Sequence, residues 1–336
     1  MIFVTLKKKL KLKKKNNNGE FKYFSCSRNT SLCNDGNNSG EYIIMGTRGS
    51  TILESLKYFS GKFGVGNSVI LIKKKKIKLE YIYYVLQNIK EIVFKITGST
   101  IPMITNKALS NSFIPVPKSP EKIQYWVDKI SAPFNEKNEK QTLLKNLEQE
   151  VLDKVKFISE NEECNSIPIK SFYNVLYGSK NKTNVNEYQL FKKVGGGSNM
   201  LNLKTDNKWN TKKNTIIVAR SGSPGNISIF NERTFVGSFA FTLNIKEDLE
   251  INNFYNYYFL KSNQQIIKNM AEGSVQQNLN REKLNNYTIM LPKNKKLITD
   301  LEPKFALIEQ LKLDIQNAEA RLEQYLQELG RESIKN

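Results

Sequence analysis

No histidine occurs anywhere in the 336 residues. His-dependent triads, His-metal sites and imidazole acid–base catalysis are therefore excluded. Cysteine is scarce as well. Cys26, Cys33 and Cys164 form no paired zinc spacing, and an odd number of thiols suits a reducing compartment. Cys26 and Cys33 leave a two-ligand metal site open, although loop or core thiols are the simpler reading. No apolar run approaches the ~18 residues of a membrane span. The opening Met1-Ile-Phe-Val-Thr-Leu-Lys7 has too short an apolar run for a signal peptide, and its charges lie on the wrong side. A soluble, cytoplasmic chain is expected.

Catalytic motifs are missing too. The nine prolines are never adjacent, so the Asn/Asp-Pro-Pro-aromatic loop of an adenine methyltransferase is absent. Phe63-Gly-Val-Gly66, without that partner loop, reads as a turn. A restriction-type nuclease needs Pro-Asp ahead of an Asp/Glu-x-Lys to hold Mg²⁺, and no Pro-Asp occurs. Gly61-Lys62-Phe63 fails as a phosphate loop at the hydroxyl. Gly195-Gly196-Gly197-Ser198 opens no helix and reads as a flexible loop.

What the chain does have is positive charge. Lys and Arg total 52 against 32 Asp and Glu, a net +20, and such a field favours a polyanionic partner. The alternative source is coding composition, since 45 of the 52 are Lys and Asn numbers 40. Residues 1–18 carry seven Lys and no acid and read as a solvated tail suited to non-specific phosphate contact. With 18 Phe and 15 Tyr, the rest can still fill a core.

It also contains a duplication. Gly98-Ser99…Leu109…Asn111…Ile114…Pro117 aligns without a gap to Gly273-Ser274…Leu284…Asn286…Ile289…Pro292, at an offset of 175 with six of twenty positions identical. Upstream, Tyr42-Ile-Ile-Met-Gly-Thr-Arg48-Gly49-Ser50 matches Thr215-Ile-Ile-Val-Ala-Arg-Ser-Gly222-Ser223 at offset 173. Two blocks in the same order at nearly the same offset mark two copies of one module.

Within each copy the pattern is mixed α/β. Tyr42–Met45 and Ile216–Ala219 read as strands ending in Gly-Ser turns, with further strands at Val69–Ile72 and Ser238–Leu243. Tyr81–Ile89 and Phe254–Ile267 have helical spacing, and their aromatics (Tyr81, Tyr84, Tyr255, Tyr258, Phe259) are expected in the core. After Pro292, Leu301, Ile308, Ile315, Leu322 and Leu329 repeat every seven residues. Leu297, Leu311, Ala318 and Tyr325 line the second position, broken by Lys304; this is a coiled-coil seam. After Pro117 the frame is kept by Ile123, Trp126, Ile130, Leu144, Leu147 and Val151, and interrupted by Pro133, Lys137 and Lys140. Pro133 is expected to break or kink this segment into helices at 119–131 and 135–156. The two heptad segments are expected to pair antiparallel.

Module, helix, module, helix, each module ending in Gly-Ser…Leu…Ile-x-x-Pro, resembles the DNA-specificity (S) subunit of type I restriction–modification systems. The carriers are Ile43-Ile44, Gly46, Gly49-Ser50, Gly98-Ser99, Ile101-Pro102, Leu109, Ile114-Pro115, Pro117 and Glu121, then Ile216-Ile217, Gly222-Ser223, Gly225, Gly273-Ser274, Leu284, Ile289 and Leu291-Pro292. The resemblance implies an α+β chain in which two repeated recognition modules are separated by a pair of long antiparallel coiled-coil helices. The expected divisions are a basic tail at 1–18, a first target recognition domain at 19–117, a helical spacer at 118–157, a second recognition domain at 158–292 and a second spacer at 293–336. The segment Ile167–Gly178 that opens the second copy is replaced in the first by the Lys/Asn run, so the first module is expected to lack its opening strand.

By the same resemblance the chain is not an enzyme and holds no cofactor. It binds double-stranded DNA at a two-part site. Partner modification subunits perform adenine methylation, a restriction subunit cleaves, and S-adenosylmethionine, ATP and Mg belong to those partners. The expected DNA-binding residues lie beside the repeat signatures: Arg28, Arg48 and Thr100 in the first copy, and Lys192, Lys193, Asn199, Lys204, Arg220, Gln276, Gln277, Asn278 and Arg281 in the second. Two alternatives stay open: an orphan DNA-binding or coiled-coil scaffold with a damaged first module, and a self-contained methyltransferase, which the missing motifs oppose.

Overall fold

The computed structural model describes residues 16, 18–27, 29–49, 52–66, 69–72, 77–93, 96–97, 103–105, 114, 116–179, 191–194, 202–205, 209–247, 249, 251–274 and 276–335. The chain divides into two units: residues 1–139 with 315–336, and residues 140–314. Two long helices supply residues to both.

The first unit is built on a five-stranded sheet of β1 (Phe21–Phe24), β2 (Ser31–Cys33), β3 (Asn38–Gly46), β4 (Lys57–Val65) and β5 (Val69–Ile72), in the order β2-β1-β4-β3-β5. Alternation along β3 splits its side chains. Ile43 and Met45 join Ile70 and Ile72 against helix α1 (Leu79–Val93), while Tyr42 and Ile44 join Phe24, Phe63 and Val65 on the other face; period-2 geometry requires this division. Phe63–Val65, expected as a turn, is instead the end of β4. Gly64 is small for a packing reason: a Cβ there would come within 2.6 Å of the Cys33 Sγ.

Helix α2 (Pro120–Asn161) contributes residues 120–139 to this unit, and the C-terminal helix contributes residues 315–335. They run antiparallel: Lys122 meets Glu332, Lys129 meets Glu328, Glu136 meets Arg321 and Lys137 meets Glu319. Ile123, Trp126, Val127 and Ile130 are buried with Leu329. The expected break at Pro133 does not occur, and α2 runs through it as one helix. Pro133 is itself buried. The next residue, Phe134, lies 6.1 and 5.8 Å from the rings of Tyr83 and Tyr84. Tertiary packing on both sides of the proline therefore outweighs the missing backbone bond.

The second unit takes residues 140–161 of α2, then β6 (Cys164–Pro168), α3 (Ile169–Phe172), β7 (Tyr173–Tyr177), β8 (Phe191–Val194), β9 (Asn202–Thr205), β10 (Ile216–Ala219), β11 (Ile227–Ile229), β12 (Phe235–Val236) and β13 (Ala240–Ile245). There follow α4 (Asn253–Ser262), α5 (Gln264–Asn269), α6 (Arg281–Asn286), β14 (Thr288–Pro292), α7 (Lys296–Thr299) and the start of α8 (Glu302–Lys335). The sheets are β11-β10-β13-β7, β12-β8-β9 and β14-β6. The helix expected over Phe254–Ile267 is two, because the Asn263 amide donates to the Phe259 carbonyl and ends the first. Its aromatics are buried, as expected.

Here too the long helices are antiparallel, with Lys140 on Asp314, Glu148 near Lys312 and Glu150 on Lys304. Leu147, Val151, Val155 and Ile158 are buried with Leu301, Phe305, Ile308 and Leu311. Phe305 enters the seam in place of Lys304 and stacks on Tyr258 at 5.6 Å.

Candidate nucleic-acid interface

The duplication reappears as hydrogen bonding. In the first unit Arg48 and Thr97 both bridge to Met103; in the second, Ser221 and Glu272 both bridge to Asn278. Ile104 N donates to Thr47 O (3.0 Å), as Leu279 N donates to Arg220 O (2.8 Å). Offsets of 173 and 175 interchange every pair. Each signature is thus a strand-end loop pinned to the loop that follows the Gly-Ser block.

In the second unit this pin sets the geometry of a basic, aromatic surface. Arg220 leaves β10 with its N–H on the Phe239 carbonyl at 2.8 Å. Arg281 starts α6, whose cap is the Asn280 side chain accepting from Glu282 N at 2.7 Å. Both guanidiniums converge on one ring: Arg220 Cζ is 5.4 Å and Arg281 Cζ 5.2 Å from the centre of Tyr177. Tyr177 ends β7, half-exposed, with its inner side on Phe241 at 5.1 Å. Gly178 allows this, since a Cβ there would strike the Gly237 carbonyl. Neither guanidinium is paired with a carboxylate among the described residues. Exposed Phe239 adds apolar surface to this basic face.

Gln276 and Gln277 are exposed on the neighbouring loop. That loop is closed by paired backbone bonds between Glu272 and Asn278 (3.0 and 2.8 Å) and by Asn278 Nδ2 donating to the Gln276 carbonyl at 3.0 Å. Gly273, at φ +130°, makes the turn. Asn278 is therefore occupied in holding the loop, whereas the two glutamines are free to face a partner. A third arginine not expected from the sequence, Arg233, stands over exposed Trp209 at 5.1 Å. All three arginines of this unit thus lie on aromatic rings.

The backbones of Lys192 and Lys193 lie on β8 and that of Lys204 on β9, with Lys192 opposite Lys204. Arg48 is exposed in the first unit. Arg28, Thr100 and Asn199 lie outside the described residues, as does Gly195–Ser198. The structure thus brings together Arg220, Arg281, Gln276, Gln277 and Asn278 and adds Tyr177, while Arg233 on Trp209 forms another arginine–aromatic pair in the same unit. Tyr177 carried no sequence signal beyond an alternating strand. Cys33 is buried and donates to the Asp35 carbonyl at 3.3 Å; among the described residues no acid/thiol group of metal-binding size occurs, and no helix is long and apolar enough to cross a membrane.

Two copies of a mixed α/β module, each with an antiparallel helix pair, define a class of duplicated recognition proteins. The family model for the type I restriction modification DNA specificity domain matches residues 3–152 and again 136–317, and the chain belongs to that family. Over 88 residues it is 38% identical to a protein of Mycoplasma genitalium described as a type I specificity subunit, a stretch covering 26% of this chain and 23% of that one. Over 106 residues it is 29% identical to the type I restriction enzyme EcoDI specificity subunit of Escherichia coli, covering 31% and 23%. The matched stretches span about a quarter of the length of these curated relatives. The fold is similar throughout to the crystal structure of the type I restriction–modification S subunit from M. genitalium, with a TM-score of 0.65 at 21% identity over 96% of this chain and 92% of that one.

Proposed function

We propose that the chain is the non-catalytic, sequence-specific DNA-binding subunit that recognises a two-part target for a type I restriction–modification-like methyltransferase/endonuclease complex. The observation that carries this reading is the convergence of Arg220 and Arg281, unpaired with acid, on Tyr177 beside the exposed Gln276 and Gln277. Arginine forks and amide side chains are the groups that read base edges in the major groove, and unneutralised cations suit phosphate. Target recognition domains at 19–117 and 158–292, with helical spacers at 118–157 and 293–336, each take one part of the site. DNA adenine methyltransferase subunits and a restriction subunit are the partners, in the cytoplasm. S-adenosylmethionine, ATP and Mg serve those subunits.

A damaged first module, the second reading, is favoured by one contrast. Positions aligned with Arg220 and Asn278 hold Thr47 and Met103, and among the described residues β5 has no neighbour matching β7 beside β13.

Selection of bound duplexes from a randomised pool, using the chain with its methyltransferase subunit, tests the proposal. A two-part sequence should be enriched. Arg220→Ala or Arg281→Ala should each weaken binding to it by ~1–3 kcal/mol and relax selection in one part only. Failure of the native complex to enrich any sequence refutes specific recognition.

A further inference from the structure

The lysines expected to meet DNA in the second unit stand on the β8–β9 hairpin, whose first strand pairs in parallel with β12. The first unit has the same construction: hairpin β1–β2, with β1 pairing in parallel to the end of β4. Offset 173 carries Lys62-Phe63 of β4 onto Phe235-Val236 of β12. The hairpin is a third repeated block, silent in the sequence because its strands are short and unlike.

In the first unit its side chains form a distinct surface. Lys22 on β1 and Lys57 on β4 share a face with Phe24 and Phe59. Lys22 Nζ is 5.1 Å from the Phe59 ring, Lys57 Nζ is 5.7 Å from the Phe24 ring, and the two rings are 5.2 Å apart. Phe63 meets both rings edge-on at 5.6 and 5.5 Å, so the platform is rigid. Lys57 also donates to Thr30 Oγ1 at 2.9 Å, fixing its head at the hairpin tip. Neither ammonium is paired with a carboxylate among the described residues. Burial, and then the neighbouring Lys22, hold the Lys57 amine below the usual lysine range. Two like charges held beside one another on a fixed aromatic base are stabilised by an anion between them.

We propose that Lys22 and Lys57, mounted on Phe59 and Phe24 with Thr30 beside them, form a binding site for the phosphate backbone of DNA. The site rests on the reading of the chain as a DNA-binding subunit, and places a positioning contact on the sheet face that carries Phe24 and Phe59. Because the aromatic base restricts both lysine stems before binding, less side-chain entropy is lost when a phosphate is engaged.

The test uses the full chain and random-sequence duplexes, with affinity followed against salt from about 50 to 300 mM, where each phosphate contact contributes about one to the slope of log K on log salt. The pair K22Q/K57Q should flatten the slope by about two and weaken all sequences alike. K22R/K57R should keep the native slope. K22Q alone, at an exposed position, should remove about one. K145Q/K154Q, an equal loss of charge at exposed sites where Lys154 also covers a ring, Phe157, should leave the slope unchanged. An unaltered slope for both K22Q and K22Q/K57Q in a native chain that does bind, or an equal drop in K145Q/K154Q, overturns the site alone. A native chain that binds no duplex overturns the functional reading with it.

Discussion

Tyr177 is where local sequence and tertiary structure part company. As the last residue of an alternating strand it carries no functional mark, yet Gly178 lets the chain close on Gly237 and leaves the ring as a platform on which two guanidiniums converge. An exposed cation–π contact contributes about 0.5–1 kcal/mol, so two should contribute about 1–2 kcal/mol to holding the arginines in place. Tyr177→Ala should therefore weaken binding to the selected site about ten-fold, and Tyr177→Phe should stay near native. Titration of a labelled duplex decides it. An equal loss in the Phe variant would assign the effect to the hydroxyl and remove the platform argument. Arg220 and Arg281 were legible because arginine is rare here and both adjoin a Gly-Ser signature. Tyr177, Trp209 and Lys22 were not, since a ring is recognisable as a platform only once the cation above it is placed.

At the scale of elements, periodicity was a good guide wherever burial alone decided the outcome. The C-terminal seam is buried at Leu301, Ile308, Ile315 and Leu329, with Leu311 and Ala318 on the second line. The departures arise where a cross-helix contact overrides a local rule. Lys137 and Lys140 interrupt the apolar frame of α2 but meet Glu319 and Asp314 on the opposite helix. Pro133 should break a helix standing alone, and instead lies in one anchored by Ile130 and Phe134 on its flanks. No single-segment pattern contains that information. Leu329 and Leu307 share one helix with opposite exposure, 2% and 45%. Leu329→Ala should cost ~2–4 kcal/mol, by lost burial and the cavity left, and Leu307→Ala less than about 0.5 kcal/mol. Comparable losses in urea unfolding would mean that the helix pair is not a seam with an inner face.

For the molecule as a whole, the duplication was the most legible feature, because two aligned blocks at offsets of 173 and 175 are a property of the sequence alone. The structure turns those offsets into matching backbone bonds, Ile104 to Thr47 and Leu279 to Arg220. What remained hidden is how unlike the two copies are around them: a Tyr–Arg–Arg centre in one, a lysine–phenylalanine face in the other. The net charge of +20 belongs to neither copy alone, and seven of its lysines fall within residues 1–18 without a balancing acid. A segment of that composition adds phosphate contacts without base readout, so it should raise affinity for every sequence by a similar factor. Deleting residues 1–18 should therefore flatten the salt dependence, by up to about six in slope if all seven lysines engage. The rank order of sequences should not change, because the proposed function assigns discrimination to Arg220, Arg281 and the glutamines. Competition binding between the selected site and scrambled duplexes, with and without the tail, measures both quantities at once. Loss of preference with the tail would mean that the tail itself reads bases, and the division between steering and reading drawn from charge and geometry would fail.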